Sequence, residues 1–316
     1  MKIVILDDLT LGLDIDLSRF KQFGDLQVFS TTNSNEINDR ITTAEIIITN
    51  KVVISKNEFL HAPKLKLICV AATGYNNIDL DAAHQNNVVV ANVKNYSTES
   101  VAQHTFSLIL ALQNSLIDYI ADVRKGEWSK SPVFTMLNHP FNDISGKKIG
   151  IIGYGHIGKR VASIAKAFGM EVLIGKRPGI IYNDENRVEF EELLLESDII
   201  SIHTPLSDNT KNLFTIEEFK KMKKSAILIN VARGGIVNEI DLTLALSTGL
   251  IRAAAIDVCE QEPISKENRL NGLTNLLITP HIAWASTESR NRLLEGIENN
   301  IKQFILGNIE DMNLAH

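Results

Sequence analysis

Cysteine is nearly absent from this chain. Its 316 residues contain two, Cys69 and Cys259, which match neither a disulfide framework nor a metal-ligand spacing. Both read as small buried packing residues in a reducing, cytoplasmic setting, and no metal is expected. Long apolar runs are missing too: none approaches the ~18 residues a membrane span needs. The opening MKIVILDD meets acid too early for a secretory signal. A soluble protein without a membrane partner is expected. There is no basic surplus, since 32 Lys and Arg stand against 38 Asp and Glu for a net charge of −6, which argues against nucleic acid as the main partner.

What is present is an alternation of short β-branched runs with amphipathic stretches, in a chain long enough for two domains. Residues 3–6, 27–29, 46–49, 67–71 and 88–90 read as strands of a first domain. A second set lies at 149–152, 171–174, 199–202, 226–229, 253–256 and 276–278. Such βαβ alternation predicts α/β architecture, with two doubly wound parallel sheets. Between the sets, Ser97 or Thr98 caps a long helix, and 124–143 reads as a loop. Thr215 and Glu218 form a capping box, and another amphipathic helix is predicted over 288–304.

The most informative stretch is 147–178. The apolar run 149–152 leads into Gly153-Tyr154-Gly155-His156-Ile157-Gly158 and then into helical spacing. In this strand–turn–helix context Gly153 permits the turn and Gly155 admits a pyrophosphate. Gly158 permits close packing, and the helix start at His156 and Ile157 faces the phosphates. Dinucleotide binding is predicted. At the end of the next strand, where an NAD site usually carries an acid, the sequence reads Gly175-Lys176-Arg177. A basic pair there favours a 2′-phosphate, so NADP is the preferred cofactor, with NAD possible; two solvated cations are the plainer alternative.

Three charged groups follow later strands: Arg233, Glu262 and His281. For a 2-keto acid, Arg233 can hold the carboxylate and polarise the carbonyl. His281 can give its oxygen a proton as hydride reaches carbon, and Glu262 can orient the imidazole and stabilise its charged form. Each alone is as consistent with a structural hydrogen-bonder; their joint placement points to hydride transfer.

The segments VAATGYNNIDLDAA at 70–83, NYSTESVAQHTFSLILAL at 95–112, GIIGYGHIG, INVARGGIV, AAIDVCEQEP and TPHIAWAS together resemble the D-isomer-specific 2-hydroxyacid dehydrogenases, of the glycerate dehydrogenase, hydroxypyruvate reductase and glyoxylate reductase type. The resemblance implies that Arg233, Glu262 and His281 are the catalytic set. It implies that Asp257 holds the nicotinamide carboxamide, that Thr204, Pro205, Val231 and Ala232 lie along the cofactor, and that Ala72, Thr73 and Gly74 bind the substrate carboxylate. It also implies a discontinuous arrangement: a flavodoxin-like substrate domain of residues 1–97 and 286–316, and a dinucleotide-binding Rossmann domain of 98–285, closing about a hinge. A homodimer is expected, with residues 128–139 as a candidate arm.

Lys51 is a candidate for the substrate carboxylate or a solvated lysine. Trp284 either lines the substrate pocket or packs at the hinge. His104 reads as a satisfied core histidine and His203 as a packing residue or, alternatively, an adenosine contact, while His61, His84, His139 and His316 show no ligand spacing. The activity expected is reversible reduction of hydroxypyruvate or glyoxylate to D-glycerate or glycolate. The alternatives are a non-catalytic NAD(P)-sensing protein of the same fold and, more distantly, a formate dehydrogenase.

Overall fold

The computed structural model of the protein describes residues 1–182 and 186–315, so His316 lies outside the described residues. The chain divides into two compact units, Met1–Ser97 with Ala285–His316, and Thr98–Trp284.

The first unit is built on β1 (Lys2–Ile5), β2 (Asp25–Val28), β3 (Ile46–Thr49), β4 (Leu67–Val70) and β5 (Val89–Ala91). They form one parallel sheet in the order β2-β1-β3-β4-β5, the flavodoxin-like winding. The run Ile46-Ile47-Ile48 is fully buried, as expected of a strand covered on both faces by helices. The helix Thr287–Leu306 is part of this unit, and Ser286 caps it by accepting from the Ser289 N–H at 3.1 Å.

The second unit holds β6 (Lys148–Ile152), β7 (Glu171–Gly175), β8 (Arg187–Val188), β9 (Ile199–Ile202), β10 (Ile227–Asn230), β11 (Ala253–Ile256) and β12 (Leu276–Ile278). Their order is β12-β11-β10-β9-β6-β7-β8, again parallel throughout. The direction of winding reverses between β6 and β9, and ligands of such sheets gather beyond the carboxyl ends of the strands at that point. Alternation along each strand divides the core in two. Ile200 and Ile202 of β9 pack with Phe214, Phe219 and Leu228 on one face; Ile199 packs with Ile149, Ile151 and Val161 on the other. Each such side chain contributes roughly 1.5–3 kcal/mol by leaving water.

The strands expected from periodicity are present, with ends shifted by at most one residue except for β2, which starts two residues early. The Thr215–Glu218 capping box opens the helix Ile216–Lys221. Two elements differ from expectation. The helix Thr98–Gln113 is followed, after Ser115 at φ +48°, by a second helix, Leu116–Arg124, which buries no residue. Its apolar residues Leu116, Ile117, Ile120 and Val123 do recur at helical spacing, but they face outward and are exposed. The two-residue strand β8, paired to β7 through Ile174↔Arg187 and Gly175↔Val188, is too short for alternation to reveal. Within 124–143 the only regular element is a short 3-10 turn, Trp128–Lys130.

Candidate active site

In the second unit, the loops after β10, β11 and β12 converge through backbone contacts. A Cβ on Gly234 would lie 1.9 Å from the carbonyl oxygen of Cys259, so only glycine lets the Arg233 loop press against the loop that carries Glu262. Asn230, buried at the end of β10, shapes that first loop: its side chain donates to the Arg233 carbonyl at 3.0 Å and accepts from the Ala232 N–H at 3.1 Å. Arg233 itself is exposed and donates to the Ala232 carbonyl at 2.7 Å.

Glu262 is held at both carboxylate oxygens. Oε1 accepts from the Cys259 N–H at 3.0 Å, and Oε2 meets Nδ1 of His281 at 2.7 Å. The carboxylate therefore fixes the ring, and Nε2 remains for proton exchange. His281 sits at φ +55°, a left-handed conformation that costs a non-glycine residue of order 1 kcal/mol or more and persists only when its surroundings impose it. Those surroundings are dense. Asp257, 1% exposed, accepts from Thr279 Oγ1 at 2.5 Å and from the N–H groups of Ile282 and Ala283 at 3.0 and 2.8 Å. His104 Nε2 lies 2.9 Å from Thr279 Oγ1, and Ser100 donates to the Ala283 carbonyl at 2.6 Å. The Trp284 indole N–H donates to the His281 carbonyl at 3.0 Å. Trp284 thus braces the histidine loop, and His104 is a polar strut of that loop. Burial and the carboxylates of Glu239, Glu262 and Asp257 push the Cys259 thiol up to about 11, so it stays protonated and unreactive at neutral pH.

At the other end of the sheet, the loop after β6 leads into the helix His156–Ala167. Gly155 is its N-cap without a side-chain cap, and no acid lies in the first turn, where His156, Ile157 and buried Gly158 stand. Gly153 has φ +94°, and a Cβ there would strike the His203 carbonyl oxygen at 2.4 Å; a Cβ on Gly155 would meet nothing within 4 Å. Open space above uncapped helix amides is what a pyrophosphate requires, so these residues fit a dinucleotide. Beyond β7, Arg177 donates to Thr204 Oγ1 at 2.8 Å and to the Tyr182 hydroxyl at 3.0 Å, while Lys176 is paired with Glu189 at 2.6 Å. Thr204 is buried, and exposed Pro205 accepts from the Thr210 hydroxyl at 2.7 Å. Val231 is buried against the core. His203 Nε2 lies 2.8 Å from Ser201 Oγ, and burial pushes its pKa down to about 3.

In the first unit, Asp7 accepts from the N–H groups of Asn50 and Lys51 at 2.9 and 2.7 Å. It fixes the loop after β3, and the Lys51 side chain is exposed. The loop after β4 is tied to the segment after β5. Ala72 accepts from the Val93 N–H at 3.1 Å, Thr73 Oγ1 donates to the Val93 carbonyl at 2.9 Å, and Asn92 donates to the Thr73 carbonyl at 2.7 Å; Gly74 follows. Asn300, fully buried in the helix Thr287–Leu306, donates to the Asn92 carbonyl at 2.9 Å and accepts from the Asn313 N–H at 3.1 Å. The sequence reading missed Asn92, Asn230, Asn300, Thr279 and Asp7. Only Asn230 and Thr279, next to the ARGG and PHI segments, carried a positional hint. Among the described residues no group of three His, Cys, Asp or Glu side chains could hold a metal, and no single helix is long and apolar enough to cross a membrane.

Comparison with known proteins identifies the family. The glycerate dehydrogenase of Methylorubrum extorquens is 42% identical over 280 residues, covering 88% of each chain. The hydroxypyruvate reductase of Blautia hydrogenotrophica is 38% identical over 314 residues, covering 97% of this chain and 98% of its own. Among solved structures, an acyclic imino acid reductase in complex with NADPH and D-Arg superposes with a TM-score of 0.86 at 29% identity, over 100% of both chains. Residues 106–283 match the profile of the D-isomer specific 2-hydroxyacid dehydrogenase NAD binding domain; the chain belongs to the D-isomer-specific 2-hydroxyacid dehydrogenases, a family of NAD(P)-binding oxidoreductases.

Proposed function

We propose that this protein reduces hydroxypyruvate, and glyoxylate, to D-glycerate and glycolate with NADPH. The observation that carries the reading is the 2.7 Å pair between Glu262 Oε2 and His281 Nδ1, with Glu262 anchored from its other oxygen. The relatives named glycerate dehydrogenase and hydroxypyruvate reductase support the substrate class. When bound, the cofactor supplies the hydride that the carbonyl carbon accepts. His281 Nε2 gives a proton to the carbonyl oxygen, and Glu262 keeps the resulting neutral ring in place for reprotonation. Arg233 holds the substrate carboxylate and draws charge toward the carbonyl oxygen. Lys51 and the Ala72-Thr73-Gly74 loop contribute further contacts to the substrate carboxylate, while Asp257, which fixes the His281 loop, retains acceptor capacity for the nicotinamide carboxamide.

The glycine loop with His156 and Ile157 holds the pyrophosphate; Thr204, Pro205, Val231 and Ala232 line the rest of the cofactor. The cations at the end of β7 give the preference for NADPH over NADH. The helix Leu116–Arg124 exposes Leu116, Ile117, Ile120 and Val123, and the following loop exposes Phe134 at 89% and Leu137 at 73%. An apolar surface of this extent marks an interface, and a second copy of the chain covers it in a homodimer. Its two free cysteines suit a reducing cytoplasm.

Initial rates with NADPH and with NADH, each against hydroxypyruvate, glyoxylate and pyruvate, test the reading. The fastest turnover is expected for NADPH with hydroxypyruvate. Turnover with NADH alone removes the cofactor preference, and turnover with none of the pairs favours an NAD(P) sensor.

A further inference from the structure

One face of the helix Thr98–Gln113 grips the loop that carries His281. Ser100 and His104, one turn apart on that helix, meet the loop at both ends: Ser100 donates to the Ala283 carbonyl at 2.6 Å, and His104 Nε2 lies 2.9 Å from Thr279 Oγ1. A hydroxyl has a single proton to give. Thr279 gives it to Asp257 Oδ1, and the same carboxylate accepts the Ile282 N–H at Oδ1 and the Ala283 N–H at Oδ2. Only lone pairs of the Thr279 oxygen are then left to face His104. The hydrogen between the two side chains therefore comes from the ring, and Nε2 is its protonated nitrogen. That nitrogen is also 3.6 Å from Asp257 Oδ1, so its N–H dipole attracts the carboxylate directly.

These hydrogen bonds run in one direction, from His104 through Thr279 to Asp257. A carboxylate offers roughly four lone-pair sites; the loop fills both on Oδ1 and one on Oδ2. We infer that His104 is a positioning residue for the nicotinamide: by fixing the Thr279 hydroxyl on Oδ1, it keeps the second site of Oδ2 for the carboxamide N–H. Without the ring, the hydroxyl is free to rotate away from Oδ1. The carboxylate can then turn to recover the lost bond with the oxygen that the carboxamide would use. This inference rests on the assignment of Asp257 to the carboxamide and adds the residue that holds Asp257 to it.

Calorimetry on the full chain tests it without turnover, comparing NADP⁺ with its 3-acetylpyridine analogue, in which a methyl ketone replaces the carboxamide and no N–H remains. The wild type is expected to bind NADP⁺ more tightly by about threefold to tenfold, the worth of one hydrogen bond. His104→Leu is expected to weaken NADP⁺ until the two ligands bind within about twofold of each other, with the analogue unchanged. His104→Gln, whose amide N–H can stand in for that of Nε2, is expected to restore the preference. His104→Phe, which keeps the ring volume without the donor, repeats the test should the Leu variant fold poorly. In the Thr279→Val background, His104→Leu is expected to change NADP⁺ affinity by less than about twofold, because the path it acts through is already gone. Equal loss of both ligands in the Leu and Phe variants, which a merely structural role would give, overturns the role of His104, as does a preference they retain. A further loss of about tenfold in the Thr279→Val background overturns the route through Thr279. A wild type indifferent to the carboxamide overturns the assignment of Asp257 together with this inference. A wild type that binds neither ligand overturns the NADP preference alone, and NAD⁺ with its own 3-acetylpyridine analogue then decides on His104.

Discussion

The second unit presents two corners along the carboxyl edge of one sheet, and they are built on different terms. At the β10–β12 end, the loops that carry the groups proposed for proton or carboxylate work are held by buried or backbone partners, Asn230 under the Arg233 loop, Cys259 N–H on the exposed Glu262, and Asp257 with Thr279 behind the His281 loop. At the β7–β8 end, Arg177 is held by side chains alone, the buried Thr204 hydroxyl and the half-buried Tyr182 hydroxyl, and Lys176 pairs with Glu189, which is 70% exposed. Proton transfer fails when the reacting atoms are misplaced by about an ångström. Charge recognition of a phosphate tolerates more latitude, because a Coulomb attraction falls off slowly with distance. The contrast is between loops fixed through their own backbone and cations fixed only through side chains, which single substitutions replace.

Substitutions at the two ends should therefore differ in kind. Arg233→Gln removes the charge expected to polarise the carbonyl, and kcat/KM for hydroxypyruvate should fall by about 10²–10³, the range for loss of one such donor; steady-state kinetics with a 5′-AMP binding control checks that the cofactor end is untouched. Exchanging Lys176 and Arg177 for Asp and Ser should raise the NADPH KM by roughly 10-fold to 100-fold and lower that for NADH, with kcat little changed. A fall in kcat of the same size would mean that the corners are coupled. Thr279→Val breaks the hydroxyl bridge between His104 and Asp257 and should lower kcat by about tenfold, with about 1–3 kcal/mol of stability lost in denaturant unfolding.

The smallest effect concerns His203, a half-buried residue near the phosphate loop whose ring burial disfavours charging. Its folded pKa of about 3 lies below the ordinary value near 6.5, so the unfolded chain takes up the proton first as pH falls. The stability associated with the neutral ring is complete above about pH 6.5 and is lost toward pH 3, by at most about 1.4 kcal/mol per pH unit. His203→Gln should flatten that slope between pH 6 and 5 in urea unfolding, and equal slopes for variant and wild type would refute the assignment.

The two corners also differ in how far the sequence announced them. The sheet itself was readable: runs such as Ile46-Ile47-Ile48 and Ile199-Ile200 are β-branched and bounded by turns, so burial on both faces follows. The three groups proposed for catalysis stood out because each follows such a run. Their supports did not, because Asn230, Thr279 and Asn300 are ordinary polar residues whose roles arise only when strands distant in sequence are brought together. The cofactor corner was half legible. Lys176-Arg177 is visible as a basic pair at a strand end, but the Glu189 ion pair depends on a strand of two residues.

The most direct test of the central claim is the turnover of His281→Gln on hydroxypyruvate with NADPH, measured beside the dissociation constant of NADPH from nicotinamide fluorescence. The account predicts kcat lower by about 10²–10⁴, the contribution of a general acid, with NADPH binding unchanged. A kcat within threefold of wild type would contradict it, because Glu262 would then be orienting a histidine that transfers no proton.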